Sequence, residues 1–121
     1  MLRQTEKAFA RAEASILLND LAPLFARADA VLFNLEAPLC NGGEPIPKCG
    51  ANFRVSPDTA KGLKEAGFSV AALANNHIMD HGSEGLRQTI EALSNVGIDY
   101  HGAGNTYKSA KKPLRIALND I

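Results

Sequence analysis

Short apolar runs alternate with amphipathic stretches along most of the chain. Residues 30–36, 68–74 and 98–104 read AVLFNLE, FSVAALA and IDYHGAG, and each apolar run ends in polar or glycine residues. The runs predict three strands, the first of them apolar enough to be buried on both faces of a parallel sheet.

Helical signals occupy the segments between these runs. Ser56, Pro57 and Asp58 form a helix start, and Gly67 is a typical helix stop. Residues 83–97 begin at a serine, end at a glycine and place Leu86, Ile90 and Leu93 on one face. Strands separated by single amphipathic helices are typical of βαβ units. We therefore predict an α/β fold with a mostly parallel sheet and flanking helices.

The two ends of the chain predict further elements. Phe9, Ala12 and Ile16 recur at helical spacing, which indicates one amphipathic helix over residues 2–18. A second short helix, capped by Asn19 or Asp20, is expected to run through Ala28. Residues 37–55 are rich in proline and glycine and predict a long irregular loop, and residues 113–118, PLRIAL, predict a fourth strand.

Composition limits the functional classes. With 121 residues we expect a single domain over residues 1–121, and 45% apolar with 21% charged residues is typical of a soluble globule. Thirteen basic and thirteen acidic side chains cancel, which argues against nucleic acid as a partner. The one basic cluster, at residues 108–112, is interpreted as a solvated surface.

Two further observations predict the cellular compartment of the protein. No run approaches the roughly 18 apolar residues of a membrane span, and the N-terminus lacks the apolar core of a signal peptide, so we expect a cytoplasmic protein with no membrane segment. Cys40 and Cys49 are expected to be free thiols, because two cysteines alone cannot form a zinc site.

Polar side chains follow the ends of the predicted strands. Because the carboxyl ends of parallel strands meet at one edge of a sheet, where ligands bind, we expect these residues to lie together. The candidates are Asn34 and Glu36 after the first strand, Asn75, Asn76, His77, Asp80 and His81 after the second, and His101, Gly102 and Gly104 after the third.

These residue types suit metal binding and proton transfer. Asn76 offers an amide oxygen, His77 an imidazole, and Glu36 a carboxylate that could bind metal or act as a general base. Asp80 lies three residues after His77, so on a helical turn its carboxylate would orient the imidazole.

Each candidate also has a purely structural interpretation. Asn75 could bond loop backbone, His77 and Asp80 could form a structural pair, and Glu36 could be a simple strand-exit carboxylate. His81 and His101 are secondary candidates, expected at the surface or behind the ligands. Gly102 and Gly104 leave a nucleotide-binding domain open as a further alternative, although the three-glycine fingerprint is missing.

Longer stretches resemble a known family. NLEAPL, the segment LKEAGFSVAALANNHIMDHGSEGLRQTIEALSNVGIDYHGAG and the later KPL are similar to bacterial capsule-synthesis proteins of the CapA or PgsA type, linked to poly-γ-glutamate production. The resemblance runs from about Ala22 to the C-terminus. It implies part of the four-layer fold of calcineurin-like metallophosphoesterases, which bind two divalent metals at strand ends.

The resemblance also implies roles for individual residues. Asn76 matches a metal ligand, His77 a residue that contacts phosphate or the leaving group, and Glu36, or Asn34, a metal-bridging carboxylate. Asp80 would assist His77 in catalysis. The implied cofactor is Mn, Zn or Mg, and the implied substrate is a small molecule or a polymer.

The chain also departs from that family pattern. Family members open with a strand ending in Gly-Asp, whose aspartate binds metal, and this sequence contains no Gly-Asp pair. We therefore expect a partial domain with part of the ligand set absent and an exposed sheet edge that favours a homodimer or strand exchange. The alternative function is a non-catalytic binding or scaffolding module for an anionic ligand or polymer. Members of the family are often membrane-associated or extracytoplasmic.

Overall fold

A parallel three-stranded sheet with helices around it forms the centre of the molecule. The computed structural model describes residues 2–11 and 13–118. Its helices are α1 (Leu2–Ala10), α2 (Ala14–Leu18), α3 (Ala22–Phe25), α4 (Thr59–Glu65), α5 (Gly82–Asn95) and α6 (Tyr107–Ala110), with a 3₁₀ turn at Asn19–Leu21. Its strands are β1 (Leu32–Asn34), β2 (Val70–Ala72) and β3 (Asp99–His101).

The sheet confirms the predicted α/β class. The strand order is β1-β2-β3, and both pairs are parallel. In this register Asn34, Ala72 and His101 are paired side by side at the carboxyl ends of the strands. The three predicted strand exits therefore do lie along one edge, as expected for right-handed βαβ crossovers.

The apolar core lies between the sheet, α4, α5 and the first part of the long loop. Its aromatic border includes Phe33 and Phe68, whose ring centroids are 4.7 Å apart. The buried members of the core are Leu35, Leu39, Ala60, Leu63, Ala71, Leu73, Ile78, Leu86, Ala92, Leu93 and Ile98. Burial of these side chains holds the strand ends in place, because burying one large aliphatic side chain contributes roughly 1.5–3 kcal/mol.

The N-terminal helix is interrupted, so the prediction of one helix over residues 2–18 is wrong. Phe9 packs against the core, and a Cβ on Gly62 would overlap the Phe9 carbonyl, so α1 crosses α4 at close range. By contrast, Ile16 in α2 is 75% exposed. The apolar positions of the predicted face therefore do not form one continuous buried stripe. Of the predicted apolar face, Ala12 lies outside the described residues, and the second helix ends at Phe25 rather than at Ala28.

The C-terminal segment corrects a second prediction. Residues 112–118 have no regular secondary structure, so the predicted fourth strand is wrong over the described residues. A strand needs a neighbour for its backbone hydrogen bonds, and Pro113 offers no N–H for pairing. Residues 119–121 lie outside the described part of the chain. The short helix α6 was not predicted from the sequence.

The long loop is irregular, as predicted, but it is firmly attached. An isolated parallel bridge joins Leu39 to Val55, near the two ends of the loop. The buried Thr89 hydroxyl of α5 accepts a 2.9 Å bond from Leu39 N and donates a 2.7 Å bond to Gly85 O. The loop therefore lies against the first turns of α5, next to the exit of β2. Among the described residues no helix is long and apolar enough to cross a membrane.

Candidate functional site

Asn75 joins the exits of β1 and β2. Its Nδ2 donates to Asn34 Oδ1 at 3.2 Å and to Leu35 O at 2.9 Å. Its Oδ1 accepts from His77 N at 3.1 Å and Ile78 N at 3.0 Å, which folds the chain into a tight turn after β2. The Asn75 side chain therefore makes the hydrogen bonds to loop backbone that its structural interpretation predicted. It also holds His77 close to Asn34.

Glu36 belongs to the same cluster through Asn34. Asn34 Nδ2 donates to Glu36 Oε2 at 3.4 Å, a long bond. Glu36 and Asn76 are exposed, and Asn76 sits between Asn75 and His77 on the turn. We call Asn34, Glu36, Asn75, Asn76 and His77 the rim cluster. The structure therefore brings together the first two predicted strand exits.

His77 is held by Asp80, three residues later. The distance from His77 Nδ1 to Asp80 Oδ2 is 2.8 Å, and Asp80 N bonds His77 O at 2.9 Å, so the turn is helical enough for the expected contact. With a carboxylate as acceptor, Nδ1 carries the proton. The opposite nitrogen, Nε2, is then the basic nitrogen of the neutral ring, suited to accept a proton or bind a metal.

Two residues of the long loop complete the surroundings of His77. Lys48 Nζ donates to Asp80 Oδ1 and lies 3.2 Å from His77 Nδ1. Phe53 N donates to Asp80 Oδ2 at 2.7 Å, and the Phe53 ring stacks on the imidazole with centroids 4.1 Å apart and planes 20° apart. The imidazole is therefore fixed by a carboxylate at its edge and an aromatic ring on its face.

The Asp80 carboxylate is fully buried and carries charge. Burial alone would raise the pKa of the Asp80 carboxyl, but the hydrogen bonds from Lys48, His77 and Phe53 N outweigh burial. The pKa falls from 3.8 to about 2. Asp80 is therefore an anion at neutral pH, with both oxygens engaged by protein donors.

The candidate metal ligands fall short of a complete set. Both Asp80 oxygens are engaged by protein donors, and Asn34 Oδ1 accepts one bond from Asn75, which leaves it one lone pair. Glu36 is the one carboxylate of the rim cluster. Among the described residues, no group of three or more His, Cys, Asp or Glu side chains lies close enough together to hold a metal. The rim cluster alone therefore does not fit the two-metal cage of a phosphoesterase.

The two secondary histidines lie apart from the rim cluster. His81 is buried, and its Nδ1 is 3.0 Å from Gly43 O, so it attaches the loop to the start of α5. His101 ends β3, accepts a backbone bond from Leu73 N at 2.9 Å and lines a cavity on the α6 side of the sheet with Ser109 and Lys112. The third strand exit thus opens into a different cavity.

Sequence reasoning missed Lys48 and Phe53. Both lie in the loop that was predicted only as long and irregular, and no periodicity marks them. The available signal was loop length, since long loops in compact domains are often functional. Which of its side chains meet Asp80 depends on how the loop closes over α5.

The whole chain, residues 1–121, matches the family described as bacterial capsule synthesis protein PGA_cap. It is 34% identical over 124 residues to the capsule biosynthesis protein CapA of Bacillus anthracis, covering 100% of this chain and 30% of that protein. It is 29% identical over 116 residues to the PGA biosynthesis protein CapA of Bacillus subtilis (strain 168), covering 94% and 30%.

A mycobacterial protein is also similar. The chain is 38% identical over 90 residues to a probable polyglutamine synthesis accessory protein of Mycobacterium tuberculosis (strain ATCC 25618 / H37Rv), covering 74% of this chain and 24% of that protein. The chain thus spans less than a third of the length of these relatives. Because the match extends over every residue, the chain belongs to the PGA_cap family of bacterial capsule synthesis proteins.

Proposed function

We propose that this chain takes part in the biosynthesis of a poly-γ-glutamate type capsular polymer. Support comes from the match to the capsule synthesis family over residues 1–121 and from relatives named for capsule, PGA and polyglutamine synthesis. The observation that carries the proposal to particular residues is the Asn75–Asn34 hydrogen bond, which joins two strand exits beside an oriented imidazole.

Within that function the rim cluster contacts an anionic group of the polymer or of a phosphorylated precursor. His77 has its Nδ1 committed to Asp80, so Nε2 is the atom that holds or accepts a proton at the substrate. Phe53 and Asp80 keep the ring in one orientation. A fixed ring loses little freedom when a ligand binds, which favours binding.

A divalent metal of the Mn, Zn or Mg type is part of this proposal. Glu36 and the amide oxygens of Asn34 and Asn76 would contribute ligands, and the others would be water or groups outside this chain. When bound, such an ion supplies Lewis-acid stabilisation of an anionic oxygen.

The functional test is complementation. A poly-γ-glutamate-producing bacterium that lacks its own CapA receives the gene that encodes this chain, and secreted polymer is quantified. We expect the wild-type gene to restore polymer and His77→Ala to reduce it to the level of the uncomplemented strain. Lys61→Gln, an exposed change on α4, serves as the control and should restore polymer fully.

Two results would count against the proposal. A wild-type gene that leaves polymer absent would remove the role in capsule synthesis. Full restoration by His77→Ala would remove the role of the rim cluster while leaving the family-level function in place.

A non-catalytic binding or scaffolding function is the second candidate. The observation in its favour is the incomplete ligand set: no group of three or more His, Cys, Asp or Glu lies together in the part of the chain that the structure describes. Hydrolysis of p-nitrophenyl phosphate with added Mn²⁺ or Zn²⁺ distinguishes the two. Turnover that disappears in His77→Ala would exclude this second candidate.

A further inference from the structure

A basic surface lies beyond β3, away from the rim cluster. Lys108, Lys111, Lys112 and Arg115 fall within eight residues, and no acidic residue occurs between positions 106 and 118. The whole chain has a formal net charge of zero. Four positive charges therefore concentrate on one short segment, and the rest of the chain carries the compensating excess of acidic residues.

The structure places these exposed cations around three open cavities that share lining residues. The three lysines line a cavity of about 710 Å³ together with Thr106, Tyr107 and Ser109. Ser109 and Lys112 also line a cavity of about 540 Å³ that reaches His101, and Lys112 borders a third of about 510 Å³ with Arg115. Each volume lies in the range of ligand sites, roughly 300–1,000 Å³.

Lys112 lines all three cavities, and we call the surface that they cover past the end of β3 the basic groove. Asp99 is the one acidic residue in its lining. None of the ion pairs among residues 2–11 and 13–118 involves its four cations. The four side chains are exposed, so an anionic ligand in solution can reach them.

Local structure gives the basic groove a defined shape. Thr106 and Ser109 form a capping box: Thr106 Oγ1 accepts from Ser109 N at 3.1 Å, and Ser109 Oγ accepts from Thr106 N at 3.0 Å. Lys111 Nζ lies 4.9 Å from the centroid of the Tyr107 ring. Lys108 lies in α6, and Lys111 and Lys112 follow the end of that helix three and four positions later, so the three lysines cluster at its C-terminal end.

We propose that the basic groove binds a polycarboxylate chain, one carboxylate for each cation. Charge complementarity carries the assignment, and the identity of the polymer as poly-γ-glutamate rests on the proposed function. In a γ-linked glutamate polymer every repeat keeps a free α-carboxylate, so a series of anions meets a cluster of cations. His101, at the end of β3, lies in the same groove and connects it to the carboxyl edge of the sheet.

Nucleic acid and anionic membranes fit the basic groove less well. Single-stranded nucleic acid sites stack successive bases on aromatic side chains along a cationic groove, and here the tyrosines are Tyr107 beside the lysines and Tyr100 in the cavity that reaches β3. Four cations without an amphipathic helix of several turns also make a weak membrane surface. Both remain outcomes of the test.

The test measures binding of a γ-linked glutamate oligomer of fixed length to the purified chain by fluorescence anisotropy at low salt. We expect the triple variant Lys108→Gln, Lys111→Gln and Lys112→Gln to bind about tenfold more weakly or worse, since each exposed ion pair contributes modestly. The matched control removes three charges elsewhere, Lys7→Gln, Arg11→Gln and Lys61→Gln, all exposed. It should bind within about twofold of wild type.

Three results would overturn the proposal: wild-type affinity in the triple variant, an equal loss in the control, or tighter binding of single-stranded DNA or anionic vesicles of matched charge. Circular dichroism checks that both variants keep wild-type helix content. If the chain binds the oligomer through the lysines but fails complementation, the proposed function is removed and the basic groove remains a site. If complementation succeeds but the triple variant binds with wild-type affinity, the proposed function remains and the basic groove is removed as a site.

Discussion

Two carboxylates of this chain have the same low pKa for different reasons. Asp80 is fully buried and accepts from Lys48, His77 and Phe53 N. The pKa of Glu84 is lowered to about 2 chiefly by its hydrogen bonds from Arg87 and then from Gln88. The Glu84 and Arg87 side chains are 46% and 53% exposed, so solvent screens the attraction between them. The attraction between the buried Asp80 carboxylate and its partners is screened much less.

Asp80→Asn is expected to destabilise the fold markedly, because it leaves the Lys48 ammonium partly buried without its anion. The expected loss in free energy of unfolding is about 3 kcal/mol, as for removal of one partner of a buried pair. Urea denaturation measures it. Glu84→Gln, which breaks an exposed pair, is the control, and an equal loss in both variants would contradict the buried network.

The pH dependence of stability provides a separate prediction for Asp80. Because its folded pKa is depressed to about 2 from 3.8, its contribution is present above pH 3.8 and is lost as pH falls through about 2. The difference in unfolding free energy between wild type and Asp80→Asn should therefore be constant near neutral pH and shrink below about pH 4. A difference that stays unchanged down to pH 2 would show that folding does not lower the pKa of Asp80.

At the scale of elements, α5 fixes the position of the long loop beside the candidate site. Thr89 bonds Leu39 N near the start of the loop, and Gln88 Oε1 accepts from Asn41 N at 2.9 Å. Further along the loop, Ile46 N bonds Asp80 O at 2.9 Å. These bonds deliver Lys48 and Phe53 to His77 without any regular secondary structure in between.

Thr89→Val keeps the side-chain shape and removes the hydroxyl, so buried Leu39 N loses its acceptor. We expect a loss of about 1–3 kcal/mol in the free energy of unfolding, the cost of an unpaired buried donor. Thr59→Val is a matched control, because the buried Thr59 hydroxyl has no hydrogen-bond partner among the described residues. That variant should be neutral or slightly stabilising. Similar thermal melting of the two variants would argue against the loop attachment.

At the scale of the whole molecule, the sheet ends in an apolar edge. β1 is an outer strand, and its Leu32 is 60% exposed, so the prediction that this strand is buried on both faces is wrong. An unpaired strand edge with an apolar side chain is a template for pairing with another chain. The expectation of a homodimer or strand exchange therefore stays a prediction for this edge.

Leu32→Lys is expected to weaken concentration-dependent self-association of the isolated chain, because a charge on an edge strand opposes strand pairing. Sedimentation velocity over a range of concentrations measures it. Leu118→Lys is the control, since Leu118 lies in a segment without regular structure and is 38% exposed. A purely monomeric wild-type chain, or equal behaviour of both variants, would remove the edge as an association surface.

Hydrophobic pattern alone determined the sheet and the position of the rim cluster. Each strand is a short apolar run closed by turn residues, and parallel strands must bring their carboxyl ends to one edge. The local sequence pattern gave wrong predictions where an element depends on contacts with a neighbouring element. Residues 112–118 look like a strand but form none within the described chain, and residues 2–18 break because Phe9 is packed and Ile16 is not.

Tertiary structure alone decided what surrounds His77 and where the lysines lie. Lys48 and Asp80 are 32 positions apart, and Phe53 and Asp80 are 27 apart, so their meeting depends on how the loop closes against α5. Lys108, Lys111 and Lys112 are exposed, as predicted, and only the packed chain shows that they line cavities beside α6 and β3. Periodicity records which face of an element is apolar, whereas contacts between distant irregular segments arise only from the packed chain.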